Sequence, residues 1–505
     1  MLLVFLAYVF CWVALSPHLV SAQSKTLKDC IVKALDGRSS RVAFSDKFLF
    51  ELLDVNRYNL VYNTKPLAIT YPESAQEVSE VVKCAAEADA FVQARSGGHS
   101  FGNYGKLMEL LMRSGLGGDD GAVVVDMKYL DQLTFDESDK TAHLGPGNRL
   151  KDVNEFLLEY DRVVPHGDAP QVGVGGHYTI GGLGRISRQY GAATDQIIDA
   201  EVVLANGSIV TASEKENEDI FFAIRGAGAS FGIVTDFHVH THPAPGNAVA
   251  YTYNVTIGDP KLQAEAFKAW QELVTDPDLS WKLSSQFIAF PFGSVITGFY
   301  YGTEKEFSAL KLETQLSGIN ESSIDVHLVD AAVAVGHDLS ELGLELFAGI
   351  PTHFYSKSLS FTNDTLMTDT GIDAMFKYFG EASRDLSLVG VPWFVIFDLE
   401  AGKINEVAPN ATAYAFRDTL YFLQSYAVDL LGIFGSQQRD FLDGLNEVVI
   451  DHTPGIKGSY PGYVDPFLAD AQKQYWGENL ARLEDIKTKR DPDNVFRNPQ
   501  SVELA

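Results

Sequence analysis

Read by the spacing of its apolar residues, the chain opens as alternating strands and helices. Leu67 to Tyr71 reads as a strand, and a helix is expected from Ser74, where Val78, Val81, Val82 and Ala85 recur at helical intervals. Ser74 and Glu77 stand at capping-box spacing. A second apolar run, Phe91-Val92-Gln93-Ala94, completes a strand–helix–strand unit. Ala122 to Asp126 and Ala142 to Gly145 read as further strands, and Lys151 to Tyr160 as a helix. Ile197 to Ala212 reads as two apolar strands around Asn206-Gly207, a pair suited to a type I′ hairpin turn. A strand over Ile233 to Val239 follows.

Around Pro243 to Gly246 the pattern changes. Short strands (Gln286 to Phe290, Ser294 to Tyr301, Trp393 to Phe397) mix with helices such as Lys261 to Val274, an α+β pattern that predicts a second domain. The tail returns to the earlier style, with an amphipathic helix from Trp476 to Lys489 stopped at Asp491-Pro492. The expected division is 1–22 as a signal peptide, 23–245 and 455–505 as two parts of one domain, and 246–454 as a domain inserted between them.

Glycine marks the candidate chemistry. The first expected domain carries Arg95-Ser96-Gly97-Gly98-His99-Ser100 at the end of its second strand, where α/β sheets bind ligands. Paired glycines let backbone approach a ligand closely, and exposed N–H groups in such a turn suit a pyrophosphate. His99 then stands as a nucleophile beside a phosphate cradle. A second segment, His166 to Gly191, holds seven glycines between Gly173 and Gly191, too many for a stable helix and ill suited to a central strand. They suit backbone laid against a large flat ligand. Phe221 to Gly232 is a third such piece.

Composition narrows the class. Of the 505 residues, 67 are acidic and 39 basic, a formal net charge of −28 that disfavours nucleic acid and anionic membranes as partners. Met1 to Leu15 is nearly all apolar, Ser16-Pro17 breaks the run, and Val20-Ser21-Ala22 forms a small-residue cleavage site, so a secreted, extracellular protein is expected. Removing the signal leaves Cys30 and Cys84, which most simply form one disulfide. Acceptor sequons at Asn206, Asn254, Asn320, Asn363 and Asn410 fit a glycosylating export route. No G-x-S-x-G elbow points to a hydrolase, and the histidines are too sparse for a metal site.

Three separated motifs give a resemblance. Arg95 to Ser100, the segment DIFFAIRGAGASFGIVTDF from Asp219, and the ending YWGENLARLEDIKTKRDPDNVFRNPQS resemble the berberine-bridge-enzyme-like branch of the vanillyl-alcohol-oxidase and p-cresol-methylhydroxylase flavoproteins. HGDAPQVGVGGH and FDLEAGK bring the likeness nearest to glucooligosaccharide and chito-oligosaccharide oxidases. The resemblance implies an α+β architecture: a split FAD-binding domain around a substrate domain with an antiparallel sheet. It implies FAD bonded through His99 to the 8α-methyl of the flavin. It also places Arg95, Ser96, Gly97, Gly98, Ser100, Ala169, Val172, Gly173, Gly175, Gly176, His177, Gly182, Gly232, Ile233, Val234, Tyr460 and Asn494 around the cofactor. Where many relatives read His-Gly-x-Cys-Pro, with the cysteine as a second link, this chain reads His166-Gly167-Asp168-Ala169-Pro170, so a single link is expected. Val172 matches the small residue that leaves room for oxygen near the flavin.

The resemblance also implies the reaction. Oxidising a sugar hemiacetal to a lactone removes a proton from the C1 hydroxyl and a hydride from C1; the cofactor carries the hydride step and the protein supplies the base. The base maps to Tyr463, helped by Asp398 and Gln424. Tyrosine ordinarily titrates near ~10, so a carboxylate accepting the phenol's hydrogen bond is expected to draw its proton away. Tyr104 and Trp393 are candidates to stack on a pyranose or aromatic face. Gly462 replaces the asparagine usual between the two tyrosines, and Ile396 stands where a sugar-contacting glutamine is expected. The expected function is oxidation of an oligosaccharide by FAD, with electrons passed to oxygen or another acceptor. The alternatives are a tailoring oxidase of a phenolic, alkaloid-like or polyketide alcohol, and a flavin-containing binding protein without turnover.

Overall fold

The computed structural model describes residues 26–104, 121–255, 258–291, 293–330, 334–335, 351–385, 388, 392–429, 432, 436–456 and 458–505. The expected signal segment and its cleavage site lie outside the described residues, and no described helix is long and apolar enough to cross a membrane.

The N-terminal half builds two sheets. The first joins β1 (Val42–Phe44), β2 (Ala68–Thr70), β3 (Phe91–Arg95) and β4 (Ala122–Asp126) in the order β1-β2-β4-β3. The strand–helix–strand unit forms as expected, but its strands are not neighbours, because β4 inserts between them and runs parallel to both. Its helix α1 (Ala75–Glu87) starts where the capping residue stands, with Ser74 Oγ accepting the Glu77 N–H at 3.2 Å. Glu77 does not close the box; its carboxylate accepts the Glu73 N–H at 2.8 Å and pairs with Arg38. Val78, Val81, Val82 and Ala85 are fully buried, as their spacing requires. Cys30 and Cys84 form the disulfide that ties α1 to the N-terminal segment.

The second sheet is antiparallel. Its strands β5 (Leu133–Asp136), β6 (Thr141–Leu144), β7 (Ile197–Val203), β8 (Ile209–Ser213) and β9 (Ile233–His240) run in the order β5-β6-β9-β7-β8. The β7–β8 hairpin forms, though not through a type I′ turn. Only Gly207 has positive φ, at 76°, and its N–H returns to the Leu204 carbonyl while the Leu204 N–H reaches Ser208. That is a type I turn closed by a glycine bulge, which needs one left-handed residue rather than two.

The expectation that glycine density excludes a helix fails over Val174–Ile180, a seven-residue helix (α2). Propensity does not hold it; packing does. Val174 and Tyr178 are fully buried, and Thr179 Oγ1 donates to the Gly175 carbonyl at 2.8 Å.

Residues 247–429 supply a seven-stranded antiparallel sheet. Its strands are β10 (Asn247–Val255), β11 (Gln286–Phe290), β12 (Gly293–Tyr300), β13 (Ile319–Asp330), β14 (His353–Thr362), β15 (Trp393–Leu399) and β16 (Thr419–Asp429), in the order β13-β10-β12-β11-β15-β16-β14. Helices α3 (Pro260–Val274), α4 (Asp369–Ala382) and α5 (Gln437–Asp451) cover one face, burying Phe267, Trp270, Met375, Phe379 and Leu445 against it. Because side chains alternate along a strand, one face of β15 (Trp393, Val395, Phe397) joins that core while the other (Phe394, Ile396, Asp398) turns toward the N-terminal half. The tail closes the molecule with α6 (Leu480–Arg490), whose Lys487 is fully buried and donates to Asp491, Ser230 O and Phe496 O.

Candidate active site

The free face of the seven-stranded sheet and the glycine-rich segments of the N-terminal half enclose one long cavity of about 430 Å³, within the range of cofactor and substrate pockets. Its N-terminal wall begins at the turn after β3. Arg95 anchors that turn: buried, it pairs with Asp126 at 2.5 Å and donates to the carbonyls of Asp54 and Val55. Ser96 Oγ donates to the Pro146 carbonyl and accepts the Gly175 N–H at 3.1 Å. Gly97 and Gly173 meet backbone to backbone; a Cβ on Gly97 would lie 2.3 Å from the Gly173 nitrogen. Here glycine is required by close approach, as well as by the positive φ of 72° at Gly98.

His99 follows, stacked on Tyr58 with ring centroids 4.3 Å apart. Ser100 Oγ accepts the Tyr104 N–H at 3.1 Å. The opposite glycine segment contributes Ala169, Val172, Gly173, Gly176 and His177 to the wall. His177 is fully desolvated, and burial, helped by the neighbouring His166, lowers its pKa to about 3. A neutral ring is what lets its Nε2 accept the Gly167 N–H at 2.9 Å.

The sheet side brings Asp398, Gln424 and Tyr463 to the same cavity. Asp398 is raised to about 7, first by burial and then by the negative charge of Asp168, while Gln286, its cross-strand partner, stabilises the carboxylate by a hydrogen bond. The Tyr463 hydroxyl is pushed well above its ordinary value, mainly by burial and next by Asp398. The Tyr463 ring lies flat to Phe101 (6.3 Å between centroids, 18° between planes) and edge-on to Tyr460 at 5.0 Å. The expected hydrogen bond from Tyr463 to Asp398 is not formed among the described residues, and Gln424 Nε2 donates to the Tyr426 hydroxyl instead. Without that hydrogen bond, the negative charge of an ionised Asp398 raises the phenol's affinity for its proton.

Several expected residues lie elsewhere. Trp393 is in the core of the seven-stranded sheet, 2% exposed and stacked on Phe379, because its odd position on β15 points away from the cavity. Gly175, Gly182, Gly232, Ile233, Val234 and Asn494 do not line the cavity. Gly175 and Gly182 stand directly behind its wall, donating to Ser96 Oγ and to the Tyr460 hydroxyl (2.9 Å). Gly232 packs on Val202, Ile233 and Val234 are core, and Asn494 turns the tail at φ 51°. The wall near residues 226–230 is formed by Gly226, Ala227, Ala229 and Ser230. Tyr104 does line the cavity, its buried hydroxyl without a hydrogen-bond partner among the described residues.

Sequence reasoning missed Tyr58, Phe101, Gln286, Phe354, Phe394 and Tyr426, all on the cavity wall. For Phe394 and Tyr426 the signal was available: each shares strand parity with an expected site residue, Asp398 on β15 and Gln424 on β16.

A backbone-lined cleft, with a histidine at one end and glycines whose side chains would close it, suits a flat dinucleotide whose ring system meets the sheet. Gly176 offers open space at the wall, where a Cβ would touch nothing within 4 Å. The fold and cleft define a flavin-dependent oxidoreductase. Residues 66–213 match the family described as "FAD binding domain", and residues 459–503 the family described as "Berberine and berberine like". The chain is 36% identical to the FAD-linked oxidoreductase sorD of Penicillium rubens, over 94% of this chain and 97% of that one. It is also similar to the solved structure of xylooligosaccharide oxidase from Myceliophthora thermophila C1 in complex with xylobiose, with TM-score 0.83, 31% identity, and coverage of 95% of this chain and 99% of that one. A third likeness is to the structure of glucooligosaccharide oxidase from Acremonium strictum with 6-S-cysteinyl, 8α-N1-histidyl FAD, at TM-score 0.81 and 28% identity, covering 95% of this chain and 99% of that chain. The chain belongs to the berberine-bridge-enzyme-like FAD-linked oxidoreductases, the family that includes these oligosaccharide oxidases.

Proposed function

We propose that the protein oxidises the hydroxyl of a small molecule, with the C1 hemiacetal of an oligosaccharide as the leading substrate and its lactone as product. Electrons then pass to oxygen or another acceptor. The observation that carries this is the position of Tyr463 and Asp398 on the wall of the cavity that begins at His99. The xylobiose complex of a whole-length structural neighbour supports a sugar as the substrate class. Bound FAD supplies the two-electron oxidising equivalent that no side chain here can. His99 would hold it covalently and alone, since Ala169 offers no sulfur.

The chain's own task is the proton. Tyr463 stays protonated at neutral pH and is a weak base by itself. Asp398, poised near 7, is the stronger acceptor. The proton leaving the substrate hydroxyl is balanced when it ends on Asp398. Tyr463 and Asp398 are not hydrogen-bonded to each other among the described residues, so a relay through Tyr463 Oη requires bound substrate to bring the two into contact, and no net charge is then stranded in the buried site. Tyr463→Phe is expected to lower kcat by about 10²- to 10⁴-fold with full flavin content. Unchanged turnover would remove the proposal.

A second reading is favoured by one observation. The sheet face above the site is largely apolar, with Phe354, Phe394 and Ile396 and few groups to meet sugar hydroxyls. That suits a phenolic or polyketide-like alcohol. Following flavin bleaching under anaerobic conditions with oligosaccharides and aromatic alcohols separates the two, and bleaching by neither class supports a binding protein without turnover.

We also infer export. The leader pattern and the disulfide support it, as do the exposed sequon asparagines Asn206, Asn363 and Asn410. Asn254 is a poor acceptor, since its amide lies in a strand and donates to Ser323. Secretion with cleavage after Ala22, read by N-terminal sequencing, is the check.

A further inference from the structure

Two buried asparagines, Asn59 and Asn103, tie the backbone around His99 to the seven-stranded sheet, and the chemistry above uses neither. Asn103 closes a turn, its N–H returning to the Ser100 carbonyl at 3.0 Å, and it sits at φ 54°, a left-handed conformation that asparagine tolerates. The turn aims its side chain at residue 59. Asn103 Oδ1 accepts the Asn59 N–H at 3.2 Å, and Asn103 Nδ2 donates to the carbonyls of Asn59 (2.6 Å) and Tyr62 (3.2 Å). The amide pairs with the Asn59 backbone as a neighbouring strand would.

Asn59 carries the connection to the sheet. Its own backbone forms a parallel bridge with Thr352, just before β14, through Leu60 N–H to Thr352 O (2.8 Å) and Thr352 N–H to Tyr58 O (3.1 Å). Its side chain reaches further: Nδ2 donates to the carbonyls of Phe101 (2.9 Å) and Phe354 (3.0 Å), while Oδ1 accepts the Val61 N–H at 3.1 Å. One nitrogen thus joins the loop two residues past His99 to strand β14. Both rings it spaces, Phe101 and Phe354, line the cavity and meet edge to face at 5.2 Å.

We propose that Asn59 and Asn103 are positioning residues that set where His99 stands relative to the sheet wall, and so the register of a flavin bonded there against the substrate side. This rests on the reading of His99 as the flavin link. Both hydrogens of each amide nitrogen have an acceptor, and each Oδ1 has a donor. A buried polar network satisfied in this way admits one arrangement, whereas a loop bonded only to itself could sit in several. The stack of Tyr58 on His99 orients the imidazole ring; the two amides fix the backbone on both sides of that stack.

The test reads the flavin itself as well as turnover. Asn103→Gly keeps the left-handed backbone and deletes the amide, while Asn59→Ala deletes the tie to Phe101 and Phe354. Each is expected to lower the covalently bound fraction severalfold and to alter the visible circular dichroism of the flavin that is bound. In each, kcat per bound flavin is expected to fall by on the order of 10- to 10²-fold, the scale of a misplacement of about 1 Å, with KM changed less. Cys30→Ala with Cys84→Ala is the control for lost stability alone and is expected to move none of these readings. If Asn59→Ala does not fold, Asn103→Gly decides. Full covalent incorporation with an unaltered dichroism spectrum in Asn103→Gly would overturn the proposal, and so would equal losses in the disulfide control. A full complement of bound flavin in His99→Ala would instead sink the linkage reading, while the dichroism, which needs no bond to His99, still decides the positioning.

Discussion

Tyr58 lies face to face with His99, the ring centroids 4.3 Å apart and the planes 29° from parallel. Tyr58 in turn packs edge-on to Phe354 at 5.5 Å, so the imidazole is clamped between the turn after β3 and the seven-stranded sheet. A histidine that is to bond a flavin must be held in one orientation, and the stacked Tyr58 ring helps to fix it.

His99→Ala is therefore expected to yield protein whose acid precipitate is colourless, while the unaltered protein keeps one dinucleotide through denaturation by mass. Tyr58→Ala is expected to lower the covalently bound fraction severalfold and to slow its formation. A full complement of bound flavin in His99→Ala would show that another residue forms the link.

The pH dependence of stability follows from Asp398. Its pKa rises from 3.8 to about 7 on folding, so the folded state holds its proton more tightly than the unfolded chain. Its contribution is fully favourable below pH ~4, where both states are protonated, and is lost progressively as pH rises to about 7. Asp398→Asn removes that loss. The variant is expected to gain up to about 4 kcal/mol in denaturant unfolding above pH 7 and little near pH 4. A gain of equal size at both pH values would mean that the carboxylate is not the cause.

The separation of 54 positions from Cys30 to Cys84 gives the disulfide its weight. Constraining a loop of that length in the unfolded chain is worth about 4 kcal/mol in the chain-entropy picture. Cys30→Ala with Cys84→Ala is expected to lower stability by about 2–4 kcal/mol and to leave flavin binding and kcat unchanged, because both residues pack behind β3 and away from the cavity. Loss of flavin binding at temperatures where the double variant remains folded would contradict this.

Local signals carried much of the architecture. Ser74, the apolar spacing of α1 and the Phe91 strand were legible because each is decided within a few residues. The partnership of β2 with β4 was not, since it depends on a strand some fifty residues further on. The glycine-rich helix α2 was misjudged because its stability is tertiary: Val174 and Tyr178 find a core that propensity cannot report. At the site, motif residues from Arg95 to His99 and at Asp398 and Tyr463 fell on one cavity. Tyr58 and Phe101 did not announce themselves, being aromatic residues in irregular backbone whose packing partners come from the distant sheet.

Strand parity on β15 supplies the sharpest separation between fold and specificity. Trp393 and Ile396 are three residues apart and point to opposite faces. Trp393→Ala removes a fully packed ring between Phe379 and Phe441 and is expected to cost about 3–5 kcal/mol of stability with KM unchanged. Ile396→Gln adds a donor and an acceptor to the apolar cavity face beside Phe394. If the substrate is an oligosaccharide, the new amide meets a hydroxyl, and KM is expected to fall by roughly fivefold, the worth of about one hydrogen bond, with kcat little altered. A rise in KM for every sugar tested, together with a loss of turnover on aromatic alcohols, would identify the apolar face itself as the specificity element and transfer the assignment to the aromatic class.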